Sequence, residues 1–222
     1  MNPDANTIRL LGAAQLVVFA ASMLSERLLA SAVGSGSISD KLVHISNNLA
    51  KMRISNLVAL VNSLAIIVLA ALFYIVLNDQ NKIMALVALG FFLAEAITVA
   101  VSKMAAYALM PLSQQFVEAG APEPSHFQAL GEWLYHGVDR QGYDIHMLFF
   151  CMGGILWYYL LHISGYVPRA LSVWGLAAVS LMAIPVVLGL YDRRFLPLMV
   201  VAALYAPFEL VLGVWLIVKG PN

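Results

Sequence analysis

Six long apolar stretches, nearly free of charge, constrain this chain more than any other feature of its sequence. A helix needs about 20 residues to cross roughly 30 Å of hydrocarbon. The segments 8–32, 54–77, 82–110, 145–164, 169–191 and 195–218 all reach that length. Of the 222 residues, 62% are hydrophobic and 11% charged, and the mean hydropathy is +0.85. Such a composition cannot cover a water-soluble domain with a charged exterior. The sequence therefore predicts an all-α polytopic membrane protein. Residues 1–222 read as a single six-transmembrane-helix bundle.

Charge and cysteine content exclude several function classes. Twelve basic and twelve acidic residues cancel, so the chain lacks the basic field that nucleic acid requires. Cys151 is the only cysteine, which rules out an internal disulfide and any cysteine-rich metal site. It reads as a small buried hydrophobe. The first apolar run resembles a signal peptide, but Asp4 accompanies Arg9 ahead of it and the run extends to Ala32. It reads as a retained first helix.

Three connections are short and one is amphipathic. Asn78–Lys82, Ser164–Arg169 and Asp192–Arg194 read as tight turns, with Pro168 opening the fifth helix. Between helices one and two, Ser39 is the expected cap of a helix over Asp40–Met52. Ile38, Leu42, Ile45, Leu49 and Met52 recur at spacings of three and four, which predicts an interfacial amphipathic helix. Residues 111–143 hold Pro111, Pro122 and Pro124 and the acids Glu118, Glu123, Glu132 and Asp139. They read as a long connection with a short helix near 125–138. Six spans place both termini on one side of the membrane.

Ionisable residues inside the spans are the best functional clues, because a charge in hydrocarbon is expensive. Glu95 lies near the middle of its span and Glu209 at a matching depth in the sixth, beside Pro207. Lys103 follows Glu95 by eight residues, about 12 Å along the axis, too far for a salt bridge within one helix. It needs a partner elsewhere or a route to the interface. Glu26 belongs to the same class. Asn56 and Asn62 are expected to hydrogen-bond across helices, and Arg53 to face the interface or cap a cavity. His146 opens the fourth span next to Asp144. The histidines show no metal-ligand spacing, and no serine sits in a nucleophile elbow, so neither metal nor cofactor is expected. Cavity-lining candidates are Glu95, Lys103, Glu209, Asn62, Asn56, Arg53 and His146.

At the fourth span, Gly142-Tyr143-Asp144-Ile145-His146 leads through Leu148-Phe149-Phe150 and Gly153 to Tyr158-Tyr159. Ser164-Gly165-Tyr166-Val167-Pro168-Arg169 and Leu171-Ser172-Val173 follow. Phe208-Glu209-Leu210 and Trp215-Leu216-Ile217-Val218-Lys219-Gly220 stand near the end, and Arg9, Gly12 and Arg53 near the start. This pattern resembles a bacterial membrane-protein family catalogued as domain of unknown function 4386. Ser172-Val173 departs from the family's usual Leu-Gly after the arginine. The resemblance implies a bundle of six or seven helices in a bacterial inner membrane and supplies no activity.

Three readings follow. The leading one is a protein that binds or moves a lipid-like or small amphipathic ligand in a polar intramembrane cavity. The second is a structural or regulatory partner of another membrane protein, or of a second copy, whose charges merely pair helices. The third is an intramembrane enzyme using a glutamate as general acid or base, with His44 and His146 nearby. Membrane lipid is the expected surrounding partner in all three.

Overall fold

A computed structural model describes residues 4–219. The termini, and Gly220 from the resemblance, lie outside the described residues. The elements in chain order are α1 (Ala5–Val33), α2 (Ile38–Asn47), α3 (Leu49–Leu77), α4 (Lys82–Glu118) and α5 (His126–Glu132). A π-helical segment (Trp133–Arg140) continues α5 into α6 (Gln141–Ser164). Next come α7 (Arg169–Tyr191), a 3-10 segment (Arg193–Leu204) and α8 (Ala206–Val218). No strand occurs among the described residues. Six helical runs are long and apolar enough to cross a membrane, and they correspond one to one with the six segments read from sequence.

Outward-facing side chains along these runs remain apolar. Leu10, Leu57, Val61, Leu64, Ile83, Leu86, Ile97 and Met104 are all exposed. An apolar exterior of this extent suits lipid and would drive aggregation in water. The chain is a multi-pass membrane protein.

Contacts divide the chain into two compact units. The first gathers Met1–Phe19, Leu64–Ala96 and Asp144–Asn222. Its core contains Leu11, Phe73, Phe92, Trp157, Tyr158, Phe208 and Leu212. Close backbone approach sets the spacing of α1 and α8. A Cβ on Gly12 would lie 2.6 Å from the Gly213 carbonyl oxygen, so only glycine fits there. On α4, Asn81 caps the first turn, its side chain accepting from the Met84 N–H at 3.0 Å.

The sixth span is broken beside Pro207. The chain runs as a 3-10 helix to Leu204 and restarts as an α-helix at Ala206. Pro207 has no N–H to donate back, so the Leu204 carbonyl loses its partner three residues on. The Trp174 indole N–H fills that place at 3.1 Å.

The second unit consists of Ala20–Ser63 and Ile97–Tyr143. Two helices here, α2 and α4, correct the sequence reading. Ser37 rather than Ser39 caps α2. Its Oγ accepts from the Asp40 N–H at 3.2 Å, and the Asp40 carboxylate accepts from the Ser37 N–H at 2.9 Å. The hydroxyl and backbone N–H of Ser37 together hold the exposed Asp40 carboxyl below its usual pKa. The helix ends at Asn47, so Leu49 and Met52 belong to α3. The apolar face of α2 packs on protein, with Leu42 and Ile45 buried and Gln128 of α5 donating to Ser39 Oγ at 2.7 Å.

The second correction is at Pro111, which does not end its helix. α4 continues to Glu118 because Leu112 and Phe116 are buried in the core of this unit, outweighing one lost hydrogen bond. It stops at Gly120, whose φ of 82° only glycine adopts without strain. Most of the stretch read as a connection, from His126 on, is instead part of a helical run reaching Ser164. The short helix expected near 125–138 is present as α5 and the π-helical segment, and it runs on into α6.

Candidate functional site

Buried polar groups separate into two clusters, one in each unit. In the first unit, inward stripes of apolar residues carry single polar substitutions. Ile8, Leu11, Gln15 and Val18 form the inner stripe of α1, and Gln15 is only 2% exposed. Its Nε2 donates to Glu209 Oε1 at 2.8 Å. The Tyr205 hydroxyl, one turn before Glu209, donates to the same oxygen at 3.3 Å. A further hydrogen bond joins the hydroxyls of Tyr158 on α6 and Tyr205. Glu209 stands in the first turn of α8, where the helix dipole favours a carboxylate.

Glu95 on α4 belongs to the same cluster. It is 5% exposed, and its Oε2 is buried with no hydrogen-bond partner among the described residues. Phe92 and Ala96 beside Glu95 share one packed core with Tyr205, Phe208 and Leu212 beside Glu209, so the two glutamates enter the same core. The Gln15 Oε1 and Trp157 Nε1 atoms are also buried and unpartnered. An unsatisfied buried polar atom costs about 1–3 kcal/mol. A cluster holding several of them is expensive as mere packing. Rings close around it: Tyr158 and Phe208 stand edge to face at 4.9 Å, and Phe150 and Tyr205 at 5.2 Å.

The second unit holds a paired ionic network. Lys103 Nζ donates to Asp139 Oδ1 at 2.8 Å, with both side chains almost fully buried. Arg140 bonds Asp139 Oδ2 at 3.0 Å and Glu26 Oε2 at 3.1 Å. The Arg140 guanidinium lies 5.0 Å from the centre of the Tyr143 ring. Two cations face two carboxylates, so the network is electrically neutral and fully partnered. The π-helical turn carries both Asp139 and Arg140. Such turns insert an extra residue and shift the facing of those that follow.

The structure thus sorts the sequence candidates. It brings Glu95 and Glu209 together in the first unit and gives Lys103, in the second, its own counter-ion. Asn56 and Asn62 lie on the buried face of α3 in the second unit. Neither amide atom of Asn56, nor the Asn62 Oδ1, has a partner among the described residues. Arg53 is exposed, and His146 is half-buried in the first unit. No group of three metal-ligating side chains occurs among the described residues.

Sequence reasoning missed Gln15, Tyr158, Tyr205, Asp139 and Arg140 as site residues. Gln15 was legible as the polar member of an apolar stripe, and Tyr205–Glu209 as a pair one turn apart. Lys103 also signalled that an acid had to exist elsewhere, and the Asp139-Arg140 dipeptide was available to supply it.

Fold and cluster together describe a polytopic helical membrane protein with two carboxyls inside one packed unit. The chain belongs to the family described as Domain of unknown function (DUF4386), whose sequence model matches residues 10–220. No curated protein and no solved structure matches it.

Proposed function

We propose that this protein binds, and moves within or across the membrane, a lipid-like or small amphipathic ligand held at the Glu95–Glu209 cluster. One observation carries the reading. Glu95 is buried in an apolar span with a carboxyl oxygen that no described residue satisfies. Lipid-facing placement of an ionised carboxylate costs at least about 2.5 kcal/mol, and an unpartnered interior one is also unfavourable. Selection for stability alone would remove it. A ligand that brings a polar head to the cluster and leaves its tail among apolar helices offsets that cost.

The paired network of the second unit supports a structural role for those charges, in line with helix pairing, and leaves the first unit as the place for binding. An enzymatic role has less support. His44 belongs to the unit that lacks both glutamates. His162 meets Ser172 Oγ at 2.9 Å, but that hydroxyl donates to the Arg169 carbonyl and is no activated nucleophile. We take the six spans as one transmembrane domain, with α2 at the membrane interface. The bacterial inner membrane is the setting that the family resemblance suggests. Surrounding lipid is the obligatory partner, and a second copy or another membrane protein is a compatible one.

Photolabelling tests the proposal. Full-length protein in lipid nanodiscs is irradiated with decyl chains bearing a diazirine and an amine, hydroxyl or carboxylate head. For at least one head, adducts on peptides containing Tyr158, Tyr205 or Glu95 should saturate and be displaced by unlabelled probe. Labelling confined to lipid-facing residues, without displacement for any head, would contradict the reading.

A further inference from the structure

Hydrogen-bond arithmetic in the first unit narrows the chemistry of the ligand. Resting on the binding role just argued, we propose that its head is a protonated amine, so that the protein takes up a cationic amphiphile.

The first observation is an excess of acceptors. The Glu95 Oε2 and Gln15 Oε1 are buried acceptors to which no described residue donates. The hydroxyl protons are already committed: Tyr205 donates to Glu209, so Tyr158 donates to Tyr205. Trp157 Nε1 is a buried side-chain donor without a partner among the described residues. A head that fills the cluster must therefore donate several hydrogen bonds. An ammonium has three donors and no acceptor, whereas a carboxylate or phosphate head would add acceptors to a site already short of donors.

The second observation concerns charge. Neither Glu95 nor Glu209 forms a salt bridge with a described residue, although both lie inside apolar spans. In the second unit, Asp139 and Glu26 both have cationic partners. The second unit thus pairs these carboxylates, whereas the two of the cluster have no cation among the described residues. Gln15 is an independent pointer. It is 98% buried by its 2% exposure, and the amide that holds Glu209 keeps its oxygen vacant beside it.

The third observation is the wall. Tyr158, Tyr205 and Phe208 pack on one another at centroid distances of 4.9 to 6.2 Å, and the Tyr205 hydroxyl ties this ring cluster to the carboxyl of Glu209. Aromatic faces attract organic cations and do not attract anions. The described residues provide no set of three His, Cys, Asp or Glu ligands for a divalent metal.

The test measures equilibrium binding of decylamine, decanol and decanoate to the full chain in nanodiscs, with empty nanodiscs as the partition control. Glu95→Gln and Glu209→Gln keep side-chain size and remove the charge. Helix content and melting temperature show whether each variant is folded. Decylamine should bind saturably, decanol and decanoate at least about tenfold more weakly. Either folded variant should lose about tenfold or more in decylamine affinity, the loss of one charge-assisted hydrogen bond. Saturable binding of decanol or decanoate in preference to decylamine would overturn the cationic head and leave the amphiphile reading standing. Binding of none of the three would remove both. Decylamine binding unchanged in both folded variants, or sodium ion alone stabilising wild type while decylamine does not bind, would also overturn the proposal.

Discussion

Glu95 and Lys103 lie eight residues apart on one helix, yet they end in different electrostatic surroundings. The sequence identifies both as costly residues and correctly demands partners for them, but a helical wheel cannot say where those partners come from. Lys103 finds Asp139, just beyond the short helix expected near 125–138, and Glu95 has no cationic partner among the described residues. This difference has a measurable consequence. Lys103→Met leaves Asp139 buried with Arg140 as its remaining cation. It should destabilise the protein by roughly 3 kcal/mol, as expected on breaking a buried pair. Lys103→Met combined with Asp139→Leu removes both charges, and most of that loss should return. Reversible unfolding in mixed micelles measures both. Equal destabilisation by the single and double variants would show that the pair is not the source.

Among the elements, the glycines of α1 and α8 connect packing to the site. Gln15 follows Gly12 by one turn, and Glu209 precedes Gly213 by one turn, so the close approach at the glycines lets Gln15 reach Glu209. Gly12→Ala puts a methyl group 2.6 Å from a backbone oxygen and must push the helices apart. It should destabilise the protein by about 1–3 kcal/mol, the cost of overpacking, and weaken photolabelling at the cluster. Gly90→Ala is the control. A Cβ there meets nothing within 4 Å, and the change should be neutral or slightly stabilising. If the two substitutions behave alike, the close approach does not position the site. Element boundaries were the least legible part of the fold. A lone proline signal at Pro111 loses to the burial of Phe116, and the period of α2 continues into α3 although the backbone turns between them. Type and number of elements survive because apolar runs of spanning length have few alternatives in lipid.

At the scale of the whole molecule, the six spans give an alternating topology. Cysteines introduced at Ser35 and Glu123 should react with an impermeant thiol reagent from one side of the membrane. Those at Gln80 and Tyr166 should react from the other, in a Cys151→Ala background. Labelling of Ser35 and Gln80 positions from the same side would contradict the six-span arrangement. This level was almost wholly readable in advance, since hydropathy decides it. The site was readable only in part. Glu95 and Glu209 announce themselves as charges in hydrocarbon, whereas Gln15, Tyr158 and Tyr205 are ordinary until the fold gathers them in one unit.

The central claim is that Glu95 and Glu209 receive a ligand directly, and infrared difference spectroscopy tests it at the carboxyl groups themselves. Spectra of the protein in nanodiscs are recorded before and after saturation with a probe that photolabels the cluster. The account predicts a shift of carboxyl bands on binding. Part of it should vanish in Glu95→Gln and part in Glu209→Gln, since each variant removes the group responsible. A saturably bound probe that leaves every carboxyl band unchanged, or changes them identically in both variants and wild type, would place the ligand elsewhere and contradict the account.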